Sequence, residues 1–265
     1  MGRIEDKFNI LKKQNRKALI TFVTAGDPDI ATTVRIVEEM EKCGADIIEL
    51  GIPYSDPIAE GPVIQAANAR ALKHNIKIID IMLSVKEIRK TVIVPLLYLL
   101  YFNCIVQYGI DRFFANCASA GLDGVIIPDL PFEERGELEE TAEKYGIIMI
   151  TLVAPTSGER IELLTSKAKG FVYCVSSLGV TGVRSTFSTD FEAFFSRINS
   201  ATSIPKAIGF GISSVEHITQ LKDYCDGLIV GSAMVKKIET AQNADEAVAA
   251  VGQYTAELRA AMDSL

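Results

Sequence analysis

At 265 residues, with 48% hydrophobic and 23% charged residues, the chain has the size and usage of a globular protein that can bury a substantial core. Its net charge of −7 gives no electrostatic footprint for nucleic acid or an anionic membrane, and no apolar run approaches the ~20 residues that span a bilayer. Residues 1–13 carry charges of both signs and exclude a signal peptide, while five scattered cysteines without a CxxC spacing point to reduced thiols in a cytoplasmic protein.

In chain order, a helix over Ile4 to Lys13 precedes a regular alternation of short apolar runs and amphipathic segments. Strands are expected at 18–25, 46–52, 94–102, 124–128, 147–153, 171–176, 205–210 and 227–230. Helices are expected over Ile30 to Cys43, the double connection Val63 to His74 and Ile79 to Lys90, then Ile110 to Ala120 and Glu133 to Tyr145. The remaining helices are Glu159 to Ala168, Asp190 to Asn199, Val215 to Tyr224 and Ala244 to Met262. Near-continuous apolar strands such as Gly124-Val-Ile-Ile-Pro128 suit a parallel sheet buried on both faces. The alternation predicts an α/β fold, a (β/α)8 TIM barrel, with residues 1–265 forming a single domain and the first helix as an addition. A doubly wound sheet is disfavoured because Thr24-Ala-Gly-Asp-Pro28 is not a GxGxxG turn.

In a barrel, the loops after the strands carry the site. His74 ends one helix and His217 lies within another, so neither is placed for catalysis; without a Cys/His cluster at ligand spacing, no metal is expected. Acid–base work falls to carboxylates or tyrosine. Period-two reading of Asp46-Ile-Ile-Glu-Leu-Gly-Ile52 puts Ile48, Leu50 and Ile52 towards the helices and Glu49 into the barrel. A carboxylate there is costly, and catalysis is favoured over a structural ion pair. The following loop adds Asp56 and Glu60, and strand four ends at Asp129, either catalytic or a turn cap. Glycine turns at Gly179-Val-Thr-Gly182, Gly209-Phe-Gly-Ile-Ser213 and Gly231-Ser-Ala233 suit a phosphate held by backbone N–H groups, although each glycine could serve a tight turn alone. Phe22 and Tyr173 supply aromatic surface near the mouth.

Together with Leu50-Gly-Ile-Pro-Tyr-Ser-Asp-Pro57, Pro128-Asp-Leu-Pro131 and Val230-Gly-Ser-Ala233, these motifs resemble the α subunit of tryptophan synthase over essentially the whole chain. The resemblance implies a carbon–carbon lyase that cleaves indole-3-glycerol phosphate to indole and glyceraldehyde 3-phosphate. It implies catalytic roles for Glu49, Glu60 and Tyr173, and substrate contacts from Phe22, Leu99, Ile126 and Thr181. Gly182, Phe210, Gly211, Gly231 and Ser232 match the phosphate site. The resemblance further implies no cofactor in this chain and a β subunit, carrying pyridoxal phosphate, as partner in an α2β2 complex. Alternative readings are a low-activity activator of the β subunit and a stand-alone indole-glycerol-phosphate lyase. The chain departs from the family pattern at Glu60, where Asp is usual, and at Tyr101-Phe-Asn-Cys104, where Asn-Pro is usual.

Overall fold

A computed structural model of the chain describes residues 2–175, 190–209, 211–212 and 215–264. All strand pairs are parallel, in the order β5-β4-β3-β2-β1-β9-β8-β7-β6. The strands are β1 (Ala18–Thr24), β2 (Ile47–Gly51), β3 (Leu96–Leu99), β4 (Gly124–Ile126), β5 (Ile148–Met149), β6 (Thr151–Val153), β7 (Val172–Val175), β8 (Lys206–Gly209) and β9 (Gly227–Val230). Only Ile150 separates β5 from β6, and its N–H donates to the Val125 carbonyl at 2.9 Å. β5 pairs with β4, and β6 pairs with β7. The single strand expected over 147–153 is therefore one stave that changes partner halfway along, and this handover closes the (β/α)8 barrel.

The helices are α1 (Arg3–Lys13), α2 (Ile30–Lys42), α3 (Pro62–Leu72), α4 (Ile78–Ile88), α5 (Phe102–Tyr108), α6 (Ile110–Ala120), α7 (Gly136–Lys144), α8 (Ile161–Thr165), α9 (Phe191–Ala201), α10 (Val215–Leu221), α11 (Ser232–Thr240) and α12 (Ala244–Asp263). Their starts follow capping chemistry: Asp29 accepts from the Thr32 N–H at 2.7 Å, and Asn243 from the Glu246 N–H at 2.9 Å. Gly121 ends α6 with φ +90°, a left-handed turn that favours glycine. Strand three is shorter than the expected 94–102 because the chain turns at Tyr101 into α5, a helix that periodicity did not separate from the strand. The segment expected as helix 159–168 is a 3-10 turn over Pro155–Arg160 followed by the short α8.

Packing divides into two layers. Outward strand residues such as Leu19, Ile48, Leu50, Tyr98 and Val125 meet the helices in the larger core. Inward residues such as Ile20, Ile47, Leu97, Ile126, Ile150 and Phe171 fill the barrel. α1 seals the lower end of that inner layer with Ile4, Phe8 and Leu11, the Phe8 ring standing 5.7 Å from Phe171.

The lower rim carries a repeated polar device. An aspartate just before a strand accepts the N–H at the start of its neighbour: Asp46 from Leu19 (2.9 Å), Asp123 from Leu96 (2.8 Å) and Asp226 from Lys206 (2.9 Å). Asp46 is also paired with Arg259 of α12 (3.0 Å), and Asp123 with both Arg89 and Arg3.

Candidate active site

The upper end of the barrel is built from the other ends of the same strands. Glu49 sits in register between Phe22 of β1 and Leu97 of β3. Its neighbours Ile48, Leu50 and Ile52 face the helices, so the alternation expected from the sequence holds. The side chain is 1% exposed, and among the described residues neither carboxyl oxygen has a hydrogen-bond partner. Burial alone pushes its pKa from 4.5 up to about 8, so the group carries a proton at neutral pH. Across the barrel, Tyr173 of β7 is buried, and its hydroxyl is driven well above its usual value by burial and by the charge of Glu49. Tyr173 therefore stays protonated within electrostatic reach of Glu49.

Two glycines make room for the aromatic rings. A Cβ on Gly51 would lie 2.5 Å from the tip of the Phe22 ring, and one on Gly209 would lie 2.5 Å from the Tyr173 ring and hydroxyl. Gly209, read from the sequence as part of a phosphate turn, thus has a packing reason of its own. Gly211, two residues on, has φ +90°, where a side chain would be strained.

Loop two delivers Glu60 to the same space. Of its two carboxylates, Asp56 is exposed beside Ser55, whereas Glu60 is 5% exposed and turned inward. Tyr101 donates a hydrogen bond to Glu60 Oε2, and the Gln65 amide holds the Glu60 carbonyl at 2.8 Å. Burial raises the Glu60 pKa; the Tyr101 bond opposes that shift. Asp129 accepts the Phe102 N–H at 2.9 Å and so caps the start of α5, which favours the turn reading over the catalytic one.

After β9, two staves from β2, Gly231 and Ser232 stand at the start of α11. The first backbone bond of that helix runs from the Val235 N–H to the Gly231 carbonyl at 3.1 Å. The amides of Ser232, Ala233 and Met234 precede it, at the positive end of the helix dipole.

A single cavity collects these groups. Glu49, Glu60 and Tyr173 line it together with Phe22, Leu99, Ile126, Gly211, Gly231 and Ser232. Thr181, Gly182 and Phe210 lie outside the described residues. Ile64, Pro128, Leu152, Ile212 and Ile229 also line the cavity and were not singled out in the sequence. Leu152 and Ile229 were legible in principle, being inward positions near the upper ends of strands. Ile64 stands in the first turn of α3 and Ile212 just after β8, positions that strand alternation does not reach. Among the described residues no group of three or more His, Cys, Asp or Glu could hold a metal ion. The chemistry on offer is a neutral buried acid, a carboxylate able to accept a hydrogen bond, an apolar slot and an anion cradle.

The model of the tryptophan synthase alpha chain family matches residues 8–263. The chain is 54% identical over 259 residues to a tryptophan synthase alpha chain of Thermoanaerobacter sp. (strain X514), covering 98% of this chain and 99% of that one. To the corresponding chain of Clostridium kluyveri it is 47% identical over 263 residues, covering 99% and 100%. Among solved structures, a tryptophan synthase alpha chain from Legionella pneumophila superposes with a TM-score of 0.91 at 36% identity, covering 100% of this chain and 98% of that one. A Mycobacterium tuberculosis tryptophan synthase superposes with a TM-score of 0.89 at 34% identity, each chain 98% covered.

Proposed function

The chain belongs to the tryptophan synthase alpha chain family, and from that premise we propose that it cleaves indole-3-glycerol phosphate to indole and glyceraldehyde 3-phosphate, with Glu49 moving the protons. The observation that carries the mechanism is the buried Glu49 carboxyl, facing the cavity without a hydrogen-bond partner among the described residues, where burial raises its pKa to about 8. Cleavage of the bond between the indole ring and its side chain requires a proton on the ring carbon that holds the chain. Neutral Glu49 supplies it. The resulting carboxylate then takes the proton from the adjacent hydroxyl as the carbonyl of glyceraldehyde 3-phosphate forms. The carbon–carbon bond breaks, and its electrons return to the ring. One group gives a proton and regains one, so the pair of steps balances without a cofactor in this chain.

Glu60 accepts the ring N–H as positive charge spreads over the protonated indole. Tyr173 orients the hydroxyl-bearing chain beside Glu49. Phe22, Leu99 and Ile126 form the slot for the ring. The phosphate rests on the α11 amides at Gly231 and Ser232, with Gly211 lining the same cavity, where the helix dipole favours an anion. That division anchors the phosphate after β9 and the ring N–H at loop two, with the scissile bond beside Glu49.

The partner is a tryptophan synthase β subunit, assembled as α2β2, and pyridoxal phosphate belongs to that subunit alone. A cytoplasmic location accords with the unpaired state of all five cysteines. No helix among the described residues is long and apolar enough to cross a membrane.

The test is indole release from indole-3-glycerol phosphate, measured for the chain alone and with the β subunit. Glu49→Gln should lose cleavage while inhibition by inorganic phosphate persists. A native chain that releases no indole under either condition overturns the reading.

A further inference from the structure

We propose that Tyr101 is a positioning residue that fixes the Glu60 carboxylate against the indole ring from outside the cavity. The inference rests on the reading of Glu60 as the acceptor of the ring N–H.

Tyr101 follows β3 at its upper end, is 3% exposed, and does not itself line the cavity. Its hydroxyl makes two contacts: it donates to Glu60 Oε2 and accepts the Ala59 N–H at 2.8 Å. Its ring stacks on Tyr54 with centroids 4.9 Å apart, and the Tyr54 hydroxyl in turn accepts from the Asn103 amide at 3.2 Å. One side chain rooted in the barrel thus holds loop two near its start, at Tyr54, and at its end, at Ala59 and Glu60. The Gln65 bond fixes the Glu60 carbonyl, which leaves the side-chain torsions as the remaining freedom of this residue. Glutamate has one torsion more than aspartate, so an anchor on its carboxylate removes more freedom here. A carboxylate accepts with both oxygens. With Oε2 engaged by Tyr101, Oε1 is the oxygen assigned to the ring N–H.

Tyr101→Phe tests this, because it keeps the ring and its stacking on Tyr54 while deleting the hydroxyl. The expected result is a fall in kcat of about tenfold, the scale of one hydrogen bond to a charged group. KM and inhibition by inorganic phosphate should stay native, since the phosphate wall is untouched, and thermal melting should show the fold intact. The same substitution is then made in Glu60→Gln. If Tyr101 acts through the carboxylate, the double variant is no slower than Glu60→Gln alone. A native kcat for Tyr101→Phe overturns the inference, as does an equal further loss on the Glu60→Gln background, which would mean that Tyr101 serves only the fold. Glu60→Gln with full activity would instead overturn the reading of Glu60, and the positioning role would fall with it.

Discussion

The two ends of the barrel treat buried carboxylates in opposite ways. At the lower rim, Asp46 and Asp123 each receive a strand N–H and an arginine, so removal from water is offset by charge-assisted hydrogen bonds. At the upper end, Glu49 is more deeply buried and among the described residues has neither. The lower groups hold adjacent staves and the outer helices in place. The upper group is left with an unmet demand that a substrate can fill. A buried carboxyl is thus informative only together with what surrounds it: paired, it braces the fold, and unpaired in a cavity, it is poised to exchange a proton.

The largest effect should come from removing the unmet group. Glu49→Gln is nearly isosteric with the protonated acid, and cleavage should fall by about 10²–10⁴-fold, the usual contribution of general acid–base catalysis. Its effect on stability should have the opposite character. In the folded chain Glu49 titrates near 8, against 4.5 when exposed, so between those values the folded chain holds a proton that the unfolded chain has lost. The stability from this group is complete below 4.5 and is lost as pH rises through 8. Melting curves from mildly acidic to alkaline pH should show Glu49→Gln gaining on the native chain as pH rises. A constant difference would mean that Glu49 is ionised when folded. On the same basis kcat/KM should fall above about pH 8, as the acid is lost.

Next comes the braced end. Arg89→Met leaves Asp123 without its most buried cation and frees the Gly121 and Val94 carbonyls that Arg89 holds. The cost should be about 3–5 kcal/mol, seen as a fall of the melting temperature on the order of 10 °C. KM, measured where the variant is folded, should not move; a change in KM would show that the two ends are coupled.

Smaller effects separate the glycines. Gly209→Ala would drive a methyl into the Tyr173 ring, costing about 1–3 kcal/mol and lowering kcat through the displaced tyrosine. At Gly231 the nearest atoms to an added Cβ belong to Phe22 at 3.5 Å, an ordinary contact. Gly231→Ala should therefore melt like the native chain and only raise KM for the phosphorylated substrate, by about tenfold or less. Equal behaviour of the two variants, in melting or in kinetics, would erase the distinction drawn between packing and phosphate glycines.

Much of this is legible in the sequence. The strands are apolar on both faces, so a polar residue such as Glu49 stands out, and period two then gives its direction. Three features were hidden for physical reasons. The break at Ile150 is a change of hydrogen-bond partner, and a strand reads the same whichever neighbour it pairs with. Tyr101 sits among Leu99, Leu100 and Phe102, where one more aromatic residue looks like core, and its role depends on a loop some forty positions earlier. Gly209 has an ordinary turn sequence, yet its function is to leave space for a ring from the next stave. The lower-rim device did leave a trace: Ala45-Asp46, Leu122-Asp123 and Cys225-Asp226 each precede an apolar strand, a repeat that alternation alone does not single out.

The plug formed by Ile4, Phe8 and Leu11 has a consequence for traffic. With its base stoppered, the barrel is a blind well, and whatever enters from above must also leave that way. Anything that reacts in the upper cavity enters and leaves past the same rim, so a body resting on that rim meets substrate and products alike.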